Sequence, residues 1–83
     1  MKINVTQNDI DNGIAGLSFA CPIALSLQRQ CKILDIGVTR NRFRIGDKRY
    51  STTDKMLQFI KTFDSYGIVK PTSFNVELVE VTD

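Results

Sequence analysis

The chain has no histidine, only two cysteines and two prolines in 83 residues, and no apolar run near the roughly 20 residues that a membrane-spanning helix needs. Each shortage excludes something. Without histidine, the commonest general base and a common transition-metal ligand are missing, and two cysteines cannot complete a structural zinc site. Cys21 and Cys31 fall on what reads as one helix, separated by a rise of about 15 Å, whereas a disulfide spans a Cα separation of ~5.5 Å. They are expected as free thiols. The opening Met1-Lys2-Ile3-Asn4-Val5 lacks the long apolar region of a signal peptide, so the cytosol is the expected compartment. Asp9, Asp11 and Asp35 are explained by capping and turns, so neither a catalytic carboxylate pair nor a metal cluster is expected.

What remains is a soluble globular composition, 42% hydrophobic and 24% charged. The whole chain, residues 1–83, reads as one domain, at a size where a single core leaves a net stability of about 5 kcal/mol. Every apolar stripe is needed.

The stretch from Ser18 to Leu34 reads as the central buried helix. Pro22 suits its first turn, where no N–H is required and a helical φ is preset. At 100° per residue Ala24, Leu27, Cys31 and Leu34 make one stripe with Ile23 beside it, and Gln28, Arg29 and Lys32 point away. Leu25 lies off the stripe, to be covered by the preceding Gly13-Ile14-Ala15-Gly16-Leu17 link or by a partner.

Lys2 to Val5 alternates as a short strand, and Thr6 with Asp9 opens a short helix, Gln7 to Asn12, stopped at Asn12-Gly13. Asp35 to Thr39, Arg42 to Ile45 and Lys48 to Tyr50 read as a three-stranded meander around Arg40-Asn41 and Gly46-Asp47. Ser51 to Thr53 then offer capping hydroxyls to a second amphipathic helix, in which Met56, Leu57, Phe59, Ile60 and Phe63 share one arc; Tyr66 at its end is expected in the core. A final strand spans Ser73 to Val81, with Phe74, Val76 and Leu78 inward. The order predicts an α+β fold: a two-layer domain with a three- to five-stranded, mostly antiparallel sheet, two main helices on one face and a short N-terminal helix.

Two stretches, Met1-Lys2-Ile3-x-Val5-Thr6-x-x-x-Ile10-x-x-Gly13 and Cys21-Pro22-Ile23-Ala24-Leu25-x-Leu27, resemble a family of small, mostly uncharacterised accessory proteins of tailed bacteriophages. The resemblance covers about the first third of the chain and brings no catalytic residues with it. It implies a viral protein acting in the cytoplasm of a bacterial host.

Charge is the strongest local feature. Arg40, Arg42, Arg44, Lys48 and Arg49 crowd the meander against Asp35 and Asp47, while Glu77, Glu80 and Asp83 make the C-terminus acidic. Alternation places Arg42 and Arg44 on one strand face, where Arg49 of the next strand can join them as a set of guanidinium forks suited to phosphate or carboxylate. The plain alternative is a solvated sheet face guarded against edge pairing. A net charge of +2 with no recognisable reading helix disfavours duplex DNA, and single strands need exposed aromatics. The glycine-containing link before Pro22 lacks a phosphate-loop pattern, and Cys21 lacks a histidine to activate it.

The resemblance, with the missing catalytic groups and the clustered arginines, implies a non-enzymatic phage accessory protein with anti-defence action and no cofactor. Arg40, Arg42, Arg44, Lys48 and Arg49 are its candidate ligand-binding residues, and an anionic small molecule, a nucleotide signal above all, is the expected ligand. A host protein docked on the basic hairpin is the alternative, and direct nucleic-acid binding a third. A homo-oligomer is expected, because a short chain forms shallow pockets that a symmetric interface can enclose.

Overall fold

The computed structural model describes residues 1–81 and brings the first and last strands of the chain together. In chain order the elements are β1 (Lys2–Val5), α1 (Gln7–Asn12), α2 (Pro22–Cys31), β2 (Ile36–Val38), β3 (Arg42–Ile45), β4 (Lys48–Ser51), α3 (Asp54–Tyr66) and β5 (Thr72–Asn75). The fold is α+β with antiparallel strands, as the pattern predicts. Its strands form two ladders, β1–β5 and β2–β3–β4, and a single bridge between Tyr50 and Glu80 ties the chain after β5 to β4.

Helix α2 explains why the ladders stay separate. It lies along the outer edge of β1, where the Gln30 amide stands in for a neighbouring strand: the Asn4 N–H donates to Gln30 Oε1 (2.6 Å), and Gln30 Nε2 donates to the Lys2 carbonyl (2.8 Å). Arg29 Nη2 donates to the Asn4 carbonyl (2.7 Å), so most of the outward backbone groups of Lys2 and Asn4 are paired on an edge that would otherwise stand open.

One core joins both ladders. Ile3 and Val5 of β1, Ile23, Ala24 and Leu27 of α2, Ile36 and Val38 of β2, and Phe43 of β3 are buried together with Met56, Phe59, Ile60 and Phe63 of α3. Phe59 meets Phe74 of β5 edge to face, with ring centroids 5.6 Å apart, and Phe43 lies 5.3 Å from Tyr50; such pairs add to what area burial contributes.

The helix boundaries follow capping chemistry. Thr6 and Asp9 form a reciprocal capping box on α1, and Thr53 caps α3, which Gly67 ends in the left-handed conformation at φ 68°. Gly13 stops α1 with an extended φ of −72°. Its lack of a side chain serves packing instead: a Cβ there would fall 2.7 Å from the Pro22 ring.

Several expectations are corrected. Helix α2 ends at Cys31 because Lys32 turns left-handed at φ 55°, so Leu34 leaves the stripe and is 84% exposed. The Gly13–Leu17 link does not bury its apolar residues, since Ile14 and Leu17 remain exposed. Tyr66 lies outside the core, 77% exposed at the end of α3. The last strand stops at Asn75, one further exchange of hydrogen bonds joins Val76 to Met1, and beyond it the chain leaves β1 to reach the edge of β4, so Leu78 is exposed.

Candidate functional site

The meander is shaped by two turns. Between β3 and β4, Gly46 and Asp47 form a two-residue loop, with a positive φ of 62° at Gly46 followed by none at Asp47, the pattern of a type II′ hairpin turn. Between β2 and β3, the Thr39 N–H and hydroxyl both donate to the Arg42 carbonyl (2.7 and 2.9 Å), and the Thr52 hydroxyl donates to the Thr39 carbonyl (2.9 Å). The strands are thus held in one register, which pairs Phe43 with Tyr50 and Arg44 with Arg49.

Directly paired residues share a face, so Arg44 and Arg49 project together, and Arg42 joins them two residues along β3. The three line a shallow depression of about 240 Å³ with Ser18, Gly37 and Thr39. Gly37 is Arg44's partner on β2, and a Cβ on it would lie 3.4 Å from the guanidinium. The bare backbone lets Arg44 lie across the strand, where Nη1 donates to Asp35 Oδ1 and to the Gly46 carbonyl, both at 2.6 Å. Both members of this ion pair are exposed, Asp35 the more so, and such pairs contribute at most about 1 kcal/mol.

The other two predicted site residues go elsewhere. Arg40, at the β2–β3 turn, reaches Asp64 of α3 (3.5 Å), whose other oxygen accepts from the Gly16 N–H (3.2 Å). Lys48 pairs with Ile45, which places it on the opposite face from the arginines. The expected cluster of five is a cluster of three. The acidic C-terminal stretch is not a remote pole either: Glu80 bridges Tyr50, and the Val81 N–H donates to the Arg49 carbonyl (2.8 Å). Asp83 lies outside the described residues. Tyr50 is buried with Phe43, so neither ring of the basic hairpin offers a base-stacking surface.

The start of α2 is a weaker anion site than an open helix N-terminus, because Pro22, Ile23 and Ala24 are buried. Cys21 caps it, its Sγ accepting from the Ala24 N–H at 3.4 Å, and the Asp64 carboxylate shares the adjoining hollow. Burial pushes the Cys21 thiol above its ordinary range; bonds from the Ala24 and Ile23 N–H groups pull the other way, and Asp64 adds to the rise. A raised pKa leaves less thiolate at any given pH. Cys21 should therefore react with iodoacetamide at pH 8 at least about tenfold more slowly in the folded protein than in urea. Equal rates in the two states would contradict its placement.

Among the described residues, no group of three or more Cys, Asp or Glu side chains is arranged to hold a metal ion, and no helix is long and apolar enough to cross a membrane. No protein-family model, curated protein or solved structure matches the chain. A hollow of about 540 Å³ lies away from the arginines, between α3 and β5.

Proposed function

We propose that this protein is a non-enzymatic phage accessory protein that captures a phosphate-bearing ligand, a nucleotide above all, on the arginine face of β3 and β4, and thereby blunts a host defence. The observation that carries this reading is the direct pairing of Arg44 with Arg49, with Arg42 beside them. Like charges set opposite each other on one sheet face oppose folding, and the exposed Asp35 offsets this only at Arg44. An anion placed between them converts that cost into charge-assisted hydrogen bonds, for which guanidinium forks are well shaped.

Calorimetric titration with ADP and with inorganic pyrophosphate tests the proposal. Binding should weaken about tenfold in the Arg42→Ala, Arg44→Ala double variant, because two charge-assisted contacts are lost at a solvent-exposed site. Thermal unfolding should change little. An affinity equal to that of the unsubstituted protein would refute the assignment.

One observation favours a second reading, in which the same face docks on an acidic surface of a host protein. The depression, about 240 Å³, is smaller than the roughly 300–1,000 Å³ typical of small-molecule sites. That reading requires no nucleotide affinity, and a stoichiometric complex from bacterial lysate that the same double variant abolishes.

A further inference from the structure

Two ladders have four outer edges, and three of them are covered. Gln30 and Arg29 cap β1, the Val38 N–H of β2 donates to the Ser18 carbonyl (2.8 Å), and Val81 bonds to Arg49 of β4. The fourth is the outer edge of β5. Met1 and Val76 exchange both hydrogen bonds, the terminal ammonium donating to the Val76 carbonyl and the Val76 N–H to the Met1 carbonyl. Antiparallel alternation then directs the backbone groups of Ser73 and Asn75 away from β1. Among the described residues, those outward groups have no hydrogen-bond partner.

We infer that the β5 edge is a homodimer interface, at which β5 pairs antiparallel with β5 of a second copy about a two-fold axis near Phe74. Ser73 of each chain then exchanges hydrogen bonds with Asn75 of the other, joining two β1–β5 ladders into one four-stranded sheet. The charges favour a second copy. An antiparallel pair sets the start of one strand beside the end of the other, so exposed Lys70 faces the exposed Glu77 region of the second copy at both ends.

Pro71 has no N–H to extend the ladder at its end, which by symmetry limits both ends. Because Gln30 and Arg29 already occupy the far edge of β1, the assembly closes at two chains and cannot propagate as a filament. Leu78, at 47% exposure, lies just beyond the paired segment, where the two-fold sets it beside Lys70 of the second copy.

Sedimentation equilibrium over a concentration series tests this, with circular dichroism confirming the fold of each variant. The unsubstituted protein should be a monomer–dimer mixture. Lys70→Glu and Glu77→Lys should each weaken dimerisation about tenfold through two symmetric contacts, and the double exchange should restore it. Ser73→Pro, which removes only an outward N–H, should leave a folded monomer. A protein monomeric at every concentration would overturn the inference. So would a dimer indifferent to the charge reversals, or a monomer that instead binds an acidic extended peptide along β5. Nucleotide titration is read separately, so failure here is distinguishable from failure of the arginine site.

Discussion

Replacing Phe43 by alanine should leave the domain without a cooperative unfolding transition at room temperature. The ring is 1% exposed, lies tilted against Tyr50 and sits in the middle strand of the meander that carries the arginine face. Emptying such a site costs about 3–5 kcal/mol, from lost apolar transfer together with a cavity the neighbours do not refill. A domain of this size holds on the order of 5 kcal/mol in total. Urea titration followed by circular dichroism checks the outcome. A two-state transition with a midpoint close to that of the unsubstituted protein would show that the core does not depend on this ring. Phe43→Leu, which conserves more of the volume, should retain a transition at lower urea.

The second large effect is expected at Asp9. Its carboxylate, on a side chain only 5% exposed, accepts from Arg29 Nη2 at 2.9 Å and from the Thr6 N–H at 2.9 Å, and the Asp9 N–H donates to Thr6 Oγ1. The same arginine nitrogen holds the Asn4 carbonyl. One carboxylate thus joins the start of α1, the end of β1 and the flank of α2. Asp9→Ala should destabilise the protein by about 3 kcal/mol, from the broken capping box and the charge-assisted bonds to a buried acceptor. Because Arg29 is half exposed, water solvates it once its partner is gone, which keeps the loss below that of a fully buried pair. Comparing Asp9→Ala, Arg29→Ala and the double variant isolates the interaction: a coupling of about 1 kcal/mol or more is expected. Strict additivity would mean that the two side chains act independently.

Asp9 also shows how far local pattern carries. Its role as a cap is readable from Thr6 three positions before it, because capping is a contact within one turn. Its pairing with Arg29, 20 residues on, is not. Arg29 falls on the polar side of α2, where periodicity assigns it to water, and only the placement of α2 along the β1 edge brings it back to the backbone and to Asp9. Gln30 is the same case: nothing in its sequence neighbourhood signals an amide that substitutes for a strand.

The candidate site divides in the same way. Alternation alone puts Arg42 and Arg44 on one face, and the Gly46-Asp47 turn sets the register that pairs Arg49 with Arg44. Arg40 is drawn to Asp64 because α3 packs beside the β2–β3 turn, and Lys48 falls on the far face because a two-residue loop pairs it with Ile45. The end of α2 was illegible for a different reason. Lys32 adopts the left-handed conformation without glycine, at a conformational cost of about 1–2 kcal/mol, so no residue at the boundary announces the stop.

The sequence by itself determined the element order, the existence of both long helices, the meander and most of the inward apolar side chains, Leu34, Tyr66 and Leu78 excepted, since each depends on periodicity or capping within a few residues. Tertiary structure alone decided that the strands split into two ladders, that three arginines converge while Arg40 and Lys48 depart, and that, among the described residues, the β5 edge is the one left bare. Those outcomes depend on which elements lie side by side, and long-range adjacency is set by how all the apolar faces are buried together.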